Sequence, residues 1–253
     1  MKFLQFLAVL ITLFVIFLVF YFLVFKDSSV KTTSTTKTSI SETKTFSIID
    51  YSGEKDLSSE TYICTLDDTE YSMKNIILPQ ITDPESSSIT LTNNEIKLLY
   101  LNLYRTFSEY RNNNNDSFIV SDYIIQETKN IFSIIIKVTN YNNKKFSYTY
   151  YTYTFDKDSK KLLEYKDLPN YIDSVPSGDL ISNIREKVES NKAIKKLSKE
   201  EKNEYIEKII NEVKNSINNS TFKFYIGRSN SLHVIVNIIT PDNEKEEDFI
   251  IRN

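Results

Sequence analysis

SFIVSDYIIQET (117–128), NIFSIIIKVT (130–139) and KFSYTYYTYTFD (145–156) follow one another with only short polar segments between them. Each is rich in β-branched and aromatic residues, and the linkers carry turn formers such as Asn142-Asn143. That pattern predicts three antiparallel strands joined as a meander. In the third stretch Phe146, Tyr148 and Tyr150 alternate with Ser147 and Thr149; then Tyr151, Tyr153 and Phe155 alternate with Thr152 and Thr154. Strand side chains change face at every residue, so the apolar set switches sides at Tyr150-Tyr151. One inserted residue would restore a single apolar face, which predicts a β-bulge there.

Helices flank the meander. Thr92-Asn93-Asn94-Glu95 and Ser198-Lys199-Glu200-Glu201 match the capping box, in which a hydroxyl and a carboxylate satisfy each other's backbone donors. The first precedes Ile96, Leu99, Tyr100, Leu103, Phe107 and Tyr110, and the second precedes Tyr205, Ile206, Ile209, Ile210, Val213 and Ile217, both at helical spacing. A shorter helix is expected over Asp179–Val188, after the Pro176-Ser177-Gly178 turn. Further strands are expected at Thr221–Ile226 and Ser231–Ile239, around the turn Gly227–Asn230, with Phe249–Arg252 as an edge. Short strands are expected upstream at Thr45–Asp50, Glu60–Leu66 and Ser72–Ile77. The expected fold class is α+β: an antiparallel sheet with helices packed on one face, preceded by one transmembrane helix.

That transmembrane helix is residues 3–25, an apolar run interrupted only by Gln5 and Thr12. At about 1.5 Å per residue it crosses a hydrocarbon core of about 30 Å. It is longer than the apolar core of a cleaved signal peptide, and no Ala-x-Ala site follows, so an uncleaved anchor is expected. Residues 26–45 are rich in Ser, Thr and Lys and too polar to bury a core, which predicts a disordered stalk. The remainder divides into an N-terminal half, 46–116, and a C-terminal half, 117–253. Lys26, Lys31, Lys37 and Lys44 follow the anchor and only Lys2 precedes it, so a positive-inside count taken alone would hold the large domain in the cytoplasm.

Composition excludes several chemistries. A net charge of −3, from 31 basic and 34 acidic residues, gives no electrostatic case for nucleic acid. Cys64 is the one cysteine, so no internal disulfide forms. His233 is the one histidine; without His or Cys partners it makes no zinc site, and no nucleophile motif accompanies it. A structural role is expected for it. Gly53, Gly178 and Gly227 are too far apart for a phosphate-cradling loop. Asp156, Asp158 and Asp167 resemble a calcium loop, but Lys161 stands where the turn glycine belongs. No catalytic residue, cofactor or metal is therefore expected. Tyr148, Tyr150, Tyr151 and Tyr153 remain as a candidate ligand surface on which sugar rings could stack, with aromatic core as the competing use of the same rings.

Some stretches carry a family likeness. The segment Tyr153–Leu168, the pair Phe222–Ile226 and Leu232–Pro241, and the closing Phe249-Ile250-Ile251 resemble the extracytoplasmic domain of RsiV-type anti-sigma factors. Asn75–Ile81 is similar to a companion segment in the accessory region of PdaC-type peptidoglycan deacetylases, which share that domain. The half 46–116 is thus PdaC-like and 117–253 RsiV-like. Relatives carry a glycine- and histidine-containing turn where this chain has Tyr141–Lys145, and a glycine after the late proline that is absent after Pro241. No deacetylase domain is expected, and with Met1-Lys2 alone before the anchor no sigma-binding segment is expected there. The resemblance implies a single-pass cell-membrane protein with its C-terminal domain outside the cytoplasm, against the direction of the lysine count. It further implies a non-catalytic module that binds or senses peptidoglycan, a lysozyme-like protein or a membrane partner. The alternative is an envelope enzyme acting on peptidoglycan through carboxylates.

Overall fold

The computed structural model describes residues 46–51, 64–66, 69–71, 75–82, 86–112, 117–172, 180–241 and 243–251. The expected anchor, 3–25, and stalk, 26–45, lie outside them. Among the described residues β1 (Ile48–Tyr51) pairs with β4 (Leu78–Ile81), and β2 (Cys64–Leu66) with β3 (Thr69–Tyr71). A first three-stranded sheet runs β5 (Phe118–Glu127), β6 (Ile131–Asn142), β7 (Lys145–Asp156). A second runs β8 (Phe224–Ile226), β9 (Leu232–Thr240), β10 (Asn243–Ile251). The helices are α1 (Ser87–Asn112), α2 (Leu180–Ser190) and α3 (Lys199–Asn218). Every sheet pairing is antiparallel, so the α+β class holds.

The single expected sheet is instead two larger sheets, each with its own helices. Helix α1 lays Ile89, Ile96, Leu99, Tyr100, Leu103 and Phe107 against Phe132, Ile134, Ile136, Tyr153 and Phe155 of the first sheet. Helices α2 and α3 bury Ile184, Val188, Ile206, Ile209, Ile210 and Val213 against Phe224, Ile226, Val234, Val236 and Ile238 of the second. Burying a side chain of this size is worth about 1.5–3 kcal/mol, so both cores are real contributors.

Helix α1 begins at Ser87, not at the expected cap Thr92. Thr92 is buried one turn inside the helix, with Oγ1 unpartnered among the described residues. Ile89 extends the apolar stripe upstream of it, which favours helix over cap. Asn93, read as part of the box, uses its amide elsewhere: it accepts from Ile81 N–H at 3.0 Å and donates to Ile81 C=O at 2.7 Å, tying α1 to β4. The second box forms as expected, with Ser198 and Glu201 capping α3 reciprocally. Strand β10 also differs: it starts at Asn243, six residues before the expected edge, because its charged stretch 244–248 pairs along β9.

The expected bulge in β7 is absent. Its pairing with β6 is unbroken from Asn142↔Lys145 to Ile131↔Asp156. The apolar set switches sides without an inserted residue: α1 covers one face toward the end of the strand, and a partly exposed aromatic cluster forms on the other at its start. Tyr151, Tyr153 and Phe155 face α1. Phe146 and Tyr148 lie on the opposite face with Tyr141 and Phe118, their rings 4.8 to 6.5 Å apart. The hairpin between β6 and β7 closes through Asn143 and Lys144, both in the left-handed region (φ 51° and 61°), the two-residue turn that matches strand twist.

The two sheets meet through a hydroxyl pair. Lys223 C=O accepts from Ile235 N–H, and Gly227 N–H donates to Ser231 C=O, so odd-numbered residues of β8 point their backbone at β9. Phe224 and Ile226 therefore turn theirs to the open edge. There Thr154 Oγ1 donates to Phe224 C=O at 3.3 Å, and Ile226 N–H donates to Ser133 Oγ at 3.3 Å. Ser133 and Thr154 are cross-strand partners, both buried, with their hydroxyls 3.2 Å apart. A strand edge that would otherwise be buried unsatisfied is thus closed by side chains. Beside this contact Ile135 packs with Tyr225 and Ile235, and Tyr150 leans on the cluster.

Candidate binding cleft

Next to that cluster lies a cleft of about 240 Å³. Its floor is the non-helical face of the first sheet, where pairing sets Asp122 opposite Lys137 and Lys137 opposite Tyr150. Ile124 and Ile135 form the adjacent row, and Tyr225 and Asp248 the far wall. Lys137 Nζ stands 4.3 Å from the centroid of the Tyr148 ring, a cation–π contact that fixes the ammonium over an aromatic face.

The far wall is held rigidly. Tyr225 donates its hydroxyl to Asp248 Oδ2 at 2.5 Å, and the other carboxylate oxygen lies 3.1 Å from His233 Nδ1. The His233 ring stacks on Tyr225 with centroids 4.3 Å apart. Burial, then the bond to Asp248, holds the Tyr225 phenol well above its ordinary range; burial and the Asp248 charge raise Tyr150. The Tyr225 phenol is thus a hydrogen-bond donor to the wall's carboxylate.

The four candidate tyrosines are split by the alternation of β7. Tyr150 lines the cleft, and Tyr148 lies beside it under Lys137. Tyr151 and Tyr153 turn to the helical face. Tyr153 is buried, and its phenol is raised by burial and by the Glu95 carboxylate it bonds. Tyr151 is half-buried, with Lys223 Nζ 5.4 Å from its ring. Reading the sequence missed Asp122, Lys137, Tyr225 and Asp248. Asp122 and Lys137 did carry a signal, as charges interrupting apolar strands, but only the register shows them side by side.

His233 is not isolated either. Its Nε2 lies 3.2 Å from Ser231 Oγ, so Ser231, His233 and Asp248 have the connectivity of an acyl-transfer triad. Their surroundings are those of a clamp. Ser231 Oγ also accepts from Ser229 Oγ at 3.2 Å, and neither Ser231 nor His233 lines the cleft. A Cβ on Gly227 would sit 2.8 Å from Ser231 Oγ and 3.0 Å from His233 Nε2, so the turn closes over the pair and needs glycine to do so. The network binds β8, β9 and β10 together behind the cleft wall. Among the described residues no cluster of three or more His, Cys, Asp or Glu side chains is placed to hold a metal ion.

No family model, curated protein or solved structure matches this chain.

Proposed function

We propose that the chain is a membrane-anchored, extracytoplasmic, non-catalytic module that binds cell-envelope glycan in the cleft between its sheets. The observation that carries this is the row Asp122–Lys137–Tyr150 facing Tyr225 and Asp248 across about 240 Å³. Drug-sized ligands occupy pockets of about 300–1,000 Å³, so this cleft suits one ring-sized group. A sugar ring offers an apolar face to an aromatic side chain and hydroxyls to carboxylates and an ammonium, and the cleft supplies all three.

The alternative of an enzyme working through carboxylates has less support. Both oxygens of Asp248 are engaged, by Tyr225 and His233, and Asp122 Oδ1 accepts from Tyr123 N–H at 2.8 Å. These carboxylates are held as acceptors, not poised to pass a proton. Anchoring rests on residues 3–25; no helix among the described residues is long and apolar enough to cross a membrane. Export rests on the resemblance to RsiV- and PdaC-type domains.

The test is sedimentation of the full-length chain, in detergent micelles, with purified peptidoglycan. Tyr150→Ala and Lys137→Ala should each weaken binding about tenfold, the loss of one good contact of about 1.4 kcal/mol. Binding that survives both changes would sink the assignment of the cleft. Protease treatment of cells stripped of their wall should degrade the domain; a protected domain overturns export.

A further inference from the structure

A second cavity, of about 400 Å³, lies on the other side of β7, toward α3 and the segment 162–166. Thr152, Tyr153 and Thr154 all line it. Side chains of consecutive strand residues point to opposite faces, so what these three share is the backbone edge of β7. Odd-numbered residues of β7 turn their backbone groups to β6, as Lys157 N–H bonding Asn130 C=O shows at the end of the strand. Even-numbered residues turn outward, and around the cavity that edge is tied down at three residues. Tyr150 N–H donates to Glu246, Thr154 C=O accepts from Leu163 N–H, and Asp156 N–H donates to Lys161 C=O. Thr152 is the gap. Its N–H and C=O both face the cavity, and no backbone partner for either stands among the described residues.

We propose that this gap is a peptide-binding site, where an extended segment pairs one residue with Thr152 as an added antiparallel strand. An outward N–H and C=O on one residue match the C=O and N–H of one residue of a partner strand. The cations around the cavity are already paired, Lys166 with Glu164 at 2.7 Å and Lys223 with Glu246, while Glu95 keeps its negative charge and accepts from the neutral Tyr153 phenol. An anionic ligand therefore finds no free counter-charge there, and a neutral amide does. Phe222, Phe224 and Tyr165 offer an apolar wall for a small side chain. The site is separate from the glycan cleft and does not depend on it.

The probe is N-acetyl-alanyl-alanine methylamide, titrated into the isotope-labelled full-length chain in micelles and followed by amide NMR. The expected result is a shift of the Thr152 amide. Binding should fall about 3- to 10-fold when the alanine amide that pairs with Thr152 C=O is N-methylated, the loss of one hydrogen bond. Thr152→Pro should weaken binding similarly, since proline is tolerated where an edge strand's N–H points outward. The N-methylated peptide tests the site even if that variant fails to fold. Equal affinity for the methylated peptide, or no shift at Thr152, overturns the proposal. So does free N-acetylglucosamine producing the same shifts, because the site would then read acetamido groups and not peptide. A response at Thr152 with Tyr150→Ala silent toward peptidoglycan would keep this site and remove the glycan cleft.

Discussion

The two halves of β7 have nearly the same composition and opposite fates. Phe146, Tyr148 and Tyr150 lie on the open face of the first sheet, where Phe146 is 47% exposed. Tyr151, Tyr153 and Phe155 lie under α1, where Phe155 is fully buried. Neither aromatic content nor alternation separates them. Coverage does: one face is roofed by a helix, the other meets a second sheet only in part and leaves a cleft. Aromatic residues of this strand are therefore buried in the core or left beside the cleft according to the face they fall on.

The largest effect should come from truncation inside the covered half. Phe155→Ala should lower unfolding free energy by about 3–5 kcal/mol, the range for emptying a buried phenylalanine site, whereas Tyr148→Ala, which loses the Lys137 contact and part of a ring stack, should cost about 1 kcal/mol. Urea unfolding of the two variants measures both, and equal losses would erase the distinction between the faces. Next comes Thr154→Val, at about 1–3 kcal/mol, because Phe224 C=O and Ser133 Oγ both lose a buried partner while shape is kept. Hydrogen exchange should then rise at Ile226, whose N–H rests on Ser133; unchanged protection would show that the hydroxyl pair does not hold β8.

A smaller effect tests the segment that follows the covered half. The Glu164 N–H, then the Lys161 ammonium, hold the Asp167 carboxyl below its ordinary value of 3.8. A lowered folded-state value means stability present above about pH 4 and lost as pH falls through the folded value. Asp167→Asn should thus lower stability slightly at neutral pH and flatten its acid dependence. A variant with the same acid slope as the native chain would exclude this contact as its source.

Much of the architecture was legible because it is local. The meander shows in β-branched and aromatic runs, and α3 in Ser198 and Glu201, whose chemistry acts over three residues. What failed was long-range. Thr92 looked like a cap because the sequence cannot show Ile89 buried against the sheet a turn earlier. The bulge at Tyr150-Tyr151 assumes a single apolar face, whereas Phe146 and Tyr148 join a partly exposed aromatic cluster on the other face. The cleft was half visible: Tyr148 and Tyr150 announced themselves as aromatics, but Asp122 and Lys137 become neighbours only through register, and Tyr225 and Asp248 only through the meeting of the sheets.

The hydroxyl pair that receives β8 also acts as a check on assembly. Ser133 and Thr154 come from different strands and stand directly opposite each other in only one pairing of β6 with β7. A slip of one residue would send one hydroxyl to the helical side. The C-terminal sheet would then find no closing partner for its open edge and could not dock. Misregistered hairpins are in this way denied the contact that joins the two sheets, and the correct one is held by it.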